Sequence, residues 1–359
     1  MPPMQLHWDI FCRVIDNYGD IGVCWRLARQ LAGEHGKQVR LWVDDLSSLK
    51  QLSPAINPEC KRQFWQGIEI LHWSESLDVD RVADVVIEAF ACDVPEVYLQ
   101  KMATATAKPC WINLEYLTAE SWAEDCHGMK SPHPTLPLSK HFFFPGLSSR
   151  TGGLLREKGL LTCYPHHTNE NQLEISLFCY ETAPVGQLIE VLSQTTKPIR
   201  LHLAPGKPYA AVAAQLGGTG PWQLGLLQIL PFEFLSQDEY DRLLWRCDIN
   251  FIRGEDSFVR AQWTGKPFVW QIYQQEDSAH LVKLDAFLQH HTRQWPAATS
   301  NATVHLFKTW NSGGDLSRAW NEYIDHLPEI AAHSLDWRNQ LASYPDLTNA
   351  LVKFCAGKV

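Results

Sequence analysis

Residues 6–31 read LHWDIFCRVIDNYGDIGVCWRLARQL. Leu6 to Ile15 form a near-continuous apolar run, Asp16-Asn17-Tyr18-Gly19-Asp20 break it, and from Ile21 to Leu31 apolar residues recur at helical spacing. That is strand, turn, helix. The alternation continues with strands over Gln38 to Val43, Ala83 to Phe90 and Pro109 to Leu114, and a helix over Val94 to Ala107. Strands that are apolar throughout and alternate with helices are buried on both faces, which predicts a doubly covered parallel α/β sheet.

A polar, aperiodic stretch from Thr162 to Gln172 then marks a boundary, after which a second alternating set begins. Strands are expected over Glu174 to Tyr180, Ile199 to Leu203, Leu226 to Pro231 and Ile249 to Ile252, with helices over Val185 to Gln194, Asp238 to Cys247 and Val259 to Trp263. From about Asp315 the pattern is helical, interrupted near Tyr344-Pro345. The expected organisation is a first domain over residues 1–165, a second over 173–335, and closing helices over 336–359. Two such domains present two sets of strand C-terminal ends, where ligands of open α/β sheets bind, so the cleft between them is the expected site.

Composition narrows the function. With 31 Lys plus Arg against 40 Asp plus Glu in 359 residues the net charge is −9, and no basic cluster exists to neutralise phosphates, which disfavours a nucleic-acid partner. No apolar run reaches the roughly 18 residues that cross a bilayer, and Met1 to Asp9 lack the pattern of a secretion signal, so a cytoplasmic protein without a membrane partner is expected. The 10 cysteines are dispersed and never form C-x-x-C, which reads as reduced thiols rather than a zinc site.

Two strand-to-helix junctions carry candidate chemistry. At the first, Asp16 and Asp20 offer carboxylates where a ligand would be met, and Gly19 permits a positive φ or close approach of backbone to ligand; the same spacing fits a turn residue and an N-cap. The segment lacks G-x-G-x-x-G, which disfavours a nicotinamide enzyme. At the second, Arg253-Gly254-Glu255-Asp256-Ser257-Phe258, free helix amides and the Ser257 hydroxyl suit phosphate, while the two acids suit sugar hydroxyls or simply the helix dipole. Asp78-Val79-Asp80 matches a metal-binding D-x-D but precedes a strand in a polar stretch; His166-His167 fall in the presumed linker, and Gly152-Gly153 read as a turn.

These stretches, with Phe144-Pro145-Gly146, Thr151-Gly152-Gly153-Leu154 and the ten residues Arg253 to Gln262, closely resemble the bacterial elongation factor P arginine rhamnosyltransferases (EarP), over essentially the whole chain. The resemblance implies a GT-B glycosyltransferase, in which two Rossmann-like domains face each other across a cleft and the C-terminal helices return to the N-terminal domain. It implies transfer of rhamnose from dTDP-β-L-rhamnose to one arginine of elongation factor P, with inversion and without metal or cofactor. Carried over, the catalytic carboxylates are Asp16, Asp20 and Glu255, with Asp20 as general base. The donor contacts are Tyr18 and Gly19 on the first turn, Phe178, Tyr180, Phe234, Gln237 and Tyr273 for the thymidine, and Arg253, Glu255, Asp256 and Ser257 for the ribose, diphosphate and sugar. The runner-up is another nucleotide-sugar GT-B transferase or epimerase with a non-protein acceptor; a non-catalytic nucleotide-binding module is the reading from outside enzymes.

Overall fold

The structure, a computed structural model, describes residues 6–15, 18–74, 78–164, 171–274 and 278–358. Asp16, Asn17 and His166-His167 lie outside them. The chain divides into two compact units, residues 1–158 with 341–359, and residues 159–340.

In the first unit, β1 (His7–Cys12), α1 (Gly19–Gly33), β2 (Gln38–Val43) and α2 (Leu46–Leu52) lead to a hairpin of β3 (Arg62–Trp65) and β4 (Ile68–His72). There follow β5 (Val85–Ala89), α3 (Glu96–Thr104), β6 (Cys110–Leu114), α4 (Trp122–Cys126), β7 (Lys130–Pro132) and β8 (Ser139–Phe143). The strand order is β3-β4-β2-β1-β5-β6-β8-β7, with the edge strands β3 and β7 antiparallel to their neighbours and the interior parallel.

Alternation along β1 explains its burial. Trp8, Ile10 and Cys12 pack with Ile21, Trp25 and Leu27 of α1, while Phe11 faces the other way onto Trp42, Tyr98 and Trp111. One polar residue interrupts the run: Asp9 is fully buried and held by Arg40 through two 2.7 Å bonds, by the Tyr98 hydroxyl at 2.6 Å and by the Trp42 indole at 3.2 Å. A buried carboxylate persists only when paired in this way.

The second unit holds β9 (Leu173–Leu177), α5 (Val185–Ser193), β10 (Ile199–Leu203), α6 (Lys207–Leu216), β11 (Trp222–Leu224) and β12 (Leu227–Pro231). It continues with α7 (Gln237–Arg246), β13 (Ile249–Arg253), α8 (Asp256–Thr264), β14 (Phe268–Gln271) and the helices α9 (Ala279–His291), α10 (Ala297–Ser312), α11 (Leu316–Asp325) and α12 (Leu327–Ala342). Its order is β11-β12-β10-β9-β13-β14, parallel except at β11.

The last helix, α13 (Leu347–Ala356), buries Leu347, Leu351 and Cys355 in the first unit's core. Its docking explains the two paired glycines. A Cβ on Gly152 would stand 2.4 Å from the Phe143 ring, and one on Gly153, whose φ is +72°, would stand 2.3 Å from the carbonyl oxygen of Pro345. The Leu347 amide donates to the Leu154 carbonyl at 3.0 Å, and Gln30 of α1 bonds both Asp346 and Thr348. No helix of the described residues is long and apolar enough to cross a membrane.

Candidate active site

In the first sheet the chain leaves β1 for β2 on one side while β5 lies on the other, so connections diverge at β1/β5, the place where ligands of such sheets bind. Asp20 sits there, second residue of α1 and 2% exposed. Its Oδ2 accepts the Ile15 amide at 2.8 Å and its Oδ1 accepts the Tyr116 hydroxyl at 3.0 Å. These bonds fix the group, and the helix N-terminus favours its charge. Tyr18 is the N-cap residue of α1. Gly19 opens the helix and is not among the glycines of positive φ.

Tyr116, absent from the sequence reading, follows β6 and stacks on Phe90 with ring centres 4.4 Å apart at 16°. Phe90 belongs to a turn after β5 in which Phe90, Ala91 and Asp93 all adopt positive φ, at 56°, 51° and 56°. The turn is tied down by Phe90 N–H to the Leu114 carbonyl (2.7 Å), Ala91 N–H to Asn113 Oδ1 (3.2 Å) and the Cys92 thiol to the Phe11 carbonyl (3.3 Å).

In the second sheet the divergence lies at β9/β13, and the expected donor residues flank it. The strand expected to reach Tyr180 ends at Leu177, which leaves Phe178 and Tyr180 free to turn their rings toward the end of β13. There the Arg253 guanidinium lies 4.4 Å from the Phe178 ring centre and 4.5 Å from that of Tyr180. Tyr273, 55% exposed beyond β14, meets Tyr180 edge-on at 5.6 Å. Gln237, nearly buried at the start of α7 behind a Ser236/Glu239 capping box, donates to Asp256 Oδ2 at 3.1 Å. Phe234 is exposed in the segment before α7.

Gly254, at φ +66°, turns the chain from β13 into α8, and its carbonyl accepts the Trp270 indole at 3.0 Å. Glu255 is the N-cap residue but makes no side-chain cap, so the first amides of α8 are not taken by that carboxylate. The Ser257 hydroxyl, expected at the phosphates, donates to the Arg253 carbonyl one turn back. Arg260, one turn into α8, is buried and forked onto Asp241 by bonds of 3.1 and 2.6 Å, a structural pair.

The structure therefore gathers Phe178, Tyr180, Arg253 and Tyr273, joins Gln237 to Asp256, and sets Asp20 against Tyr116 in the other unit. Asp80 of the D-x-D stretch is paired with Arg40 at 2.7 Å, and that cation helps hold its carboxyl below the usual range against the opposing effect of burial. Among the described residues no three His, Cys, Asp or Glu side chains are grouped to hold a metal ion.

Residues 8–356 match the profile of the family described as Elongation-Factor P (EF-P) rhamnosyltransferase EarP. The chain is 43% identical to the protein-arginine rhamnosyltransferase of Pseudomonas putida, covering 98% of this chain and 99% of that protein. Identity to the protein-arginine rhamnosyltransferase of Pseudomonas aeruginosa is 42%, covering 97% and 98%. A solved structure that gives the structural basis for EarP-mediated arginine glycosylation of translation elongation factor EF-P has TM-score 0.69 and 32% identity, covering 99% of this chain and 100% of that one. MurG of Acinetobacter baumannii, 11% identical with TM-score 0.57 over 98% of this chain and 99% of that one, shares the GT-B fold. With a profile match spanning nearly the whole sequence and relatives above 40% identity, this chain belongs to the EarP family of elongation factor P rhamnosyltransferases.

Proposed function

We propose that the protein transfers L-rhamnose from dTDP-β-L-rhamnose to an arginine side chain of elongation factor P, in one metal-independent displacement with inversion. The observation that carries the reading is the pair of sites at the two sheet divergences, an anchored carboxylate in one unit and an aromatic, cationic site in the other, within a chain whose full-length relatives are protein-arginine rhamnosyltransferases. The acceptor is taken from the EarP relative of solved structure, and a cytoplasmic location follows from a translation factor as acceptor.

A free guanidinium is a poor nucleophile, since its pKa lies at roughly 12.5 to 13.8 and its lone pairs are delocalised. In the proposed mechanism Asp20 binds it, draws it out of conjugation and takes a proton as the C–N bond forms, with Asp16 supporting the arginine or the turn. Phe178, Tyr180, Phe234 and Tyr273 receive the thymidine, Gln237 and Asp256 direct polar contacts, and Glu255 holds the sugar. As the bond to the leaving dTDP breaks, the α8 amides and Arg253 stabilise the charge on its diphosphate. Tyr18 and Gly19 complete the donor contacts.

Donor titration calorimetry and product analysis test this. Binding of dTDP-β-L-rhamnose well above UDP-glucose, and an α-linked rhamnosyl-arginine by NMR, are expected; a β-linked product rules out the single displacement, and stronger UDP-glucose binding favours the runner-up transferase.

A further inference from the structure

We propose that Tyr116 is a positioning residue for the reaction, its hydroxyl holding the Asp20 carboxylate in the orientation that receives the acceptor; this rests on the role given to Asp20 above. Three observations converge. The Tyr116 hydroxyl donates to Asp20 Oδ1 at 3.0 Å, from a position 96 residues further along the chain. The ring is backed by Phe90, parallel within 16° and 4.4 Å away. Phe90 in turn stands on a turn that holds three of the five left-handed non-glycine residues among the described residues. Such backbone is strained and persists where its surroundings over-determine it, as the bonds to β6 and β1 do here.

The segment after β1 and the segment after β6 thus meet on one carboxylate of α1, and the strained turn backs the second of them through Phe90. The Ile15 amide donates to Oδ2 and the Tyr116 hydroxyl to Oδ1, so both oxygens are held and the plane of the carboxylate is fixed before the acceptor arrives. The Cys12 thiol nearby is pushed up by its hydrogen bond with Cys24 and by burial, with the charges of Asp20 and Asp44 adding to the effect.

The test compares wild type with Tyr116→Phe, which keeps the ring and removes the hydroxyl, by initial rates on elongation factor P with dTDP-β-L-rhamnose. The expected result is a kcat lower by roughly ten- to a hundredfold with a KM for the donor unchanged within about twofold. A purely structural tyrosine would lower the melting temperature without lowering kcat where the variant is fully folded. If wild type transfers rhamnose and Tyr116→Phe matches it in kcat, the positioning role is overturned while the proposed function stands. If wild type transfers nothing, the functional reading has failed and this inference falls with it. Should Tyr116→Phe not fold, Phe90→Leu carries the test: a several-fold lower kcat at unchanged donor KM is expected, and an unchanged kcat overturns the proposal.

Discussion

The Arg253 guanidinium is stacked against the ring of Phe178, 4.4 Å from its centre, with Tyr180 at 4.5 Å. A cation over aromatic faces is a stable arrangement, and it occupies the faces proposed to receive a thymine ring while holding a positive charge at the end of β13, where a diphosphate would meet α8. Donor binding on this account moves the guanidinium from the rings to the phosphates.

Replacing Arg253 by Met is therefore expected to weaken dTDP-rhamnose binding by roughly tenfold or more, the usual cost of losing a charge-assisted contact. Arg253→Lys should restore only part of it, because an ammonium cannot reproduce the planar fork. Titration calorimetry reads both; an Arg253→Met protein with wild-type donor affinity would remove this residue from the site.

Asp20→Asn keeps the size of the side chain and removes its charge and basicity. Transfer is expected to fall by about 10²- to 10⁴-fold with donor affinity unchanged. Loss of donor affinity in this variant would take Asp20 out of the role of base.

Gly153→Ala is expected to loosen the return of α13. The new methyl would meet the Pro345 carbonyl at 2.3 Å on a backbone at φ +72°, so a loss of about 2 kcal/mol and a melting temperature lower by about 4–8 °C should follow. Faster proteolysis ahead of α13 would accompany it. An unchanged melting temperature would mean the helix relaxes freely around the contact.

His291 sets an acid limit on the second unit. It is buried among Phe287, Phe268, Trp295 and Trp337, and burial, helped by the like charge of His333, pushes its pKa down to about 3. An unfolded histidine titrates near 6.5, so below that pH the unfolded chain binds a proton that the folded chain refuses. The contribution is fully present above pH ~6.5 and is lost as pH falls toward 3, at about 1.4 kcal/mol per pH unit. Denaturant unfolding between pH 7 and 4.5 should show a shallower slope for His291→Leu than for wild type; identical slopes would assign the acid sensitivity to other groups.

Sequence periodicity found the frame because the interior strands are buried on both faces: Gln38–Val43 and Ile199–Leu203 have the expected bounds. It missed the β3–β4 hairpin, whose signal was present in Gln66-Gly67 between two short runs and whose turn takes positive φ at both residues. β3 is largely exposed and short, so its apolar pattern is weak. Tyr116 was illegible for a different reason, since its meaning comes from Asp20 and Phe90, 96 and 26 residues away, and the left-handed Phe90 contradicts the local preference of an aromatic residue. Arg253 and Arg260 look equivalent in sequence; only packing shows one stacked at the strand end and the other locked to Asp241.

The central claim is tested most directly by the intact mass of elongation factor P after incubation with this protein, dTDP-β-L-rhamnose and EDTA, beside an acceptor whose target arginine is replaced by lysine. Addition of a single deoxyhexose to the arginine form alone is the expected result. No addition under conditions where dTDP-rhamnose binds, or equal addition to the lysine form, would contradict it.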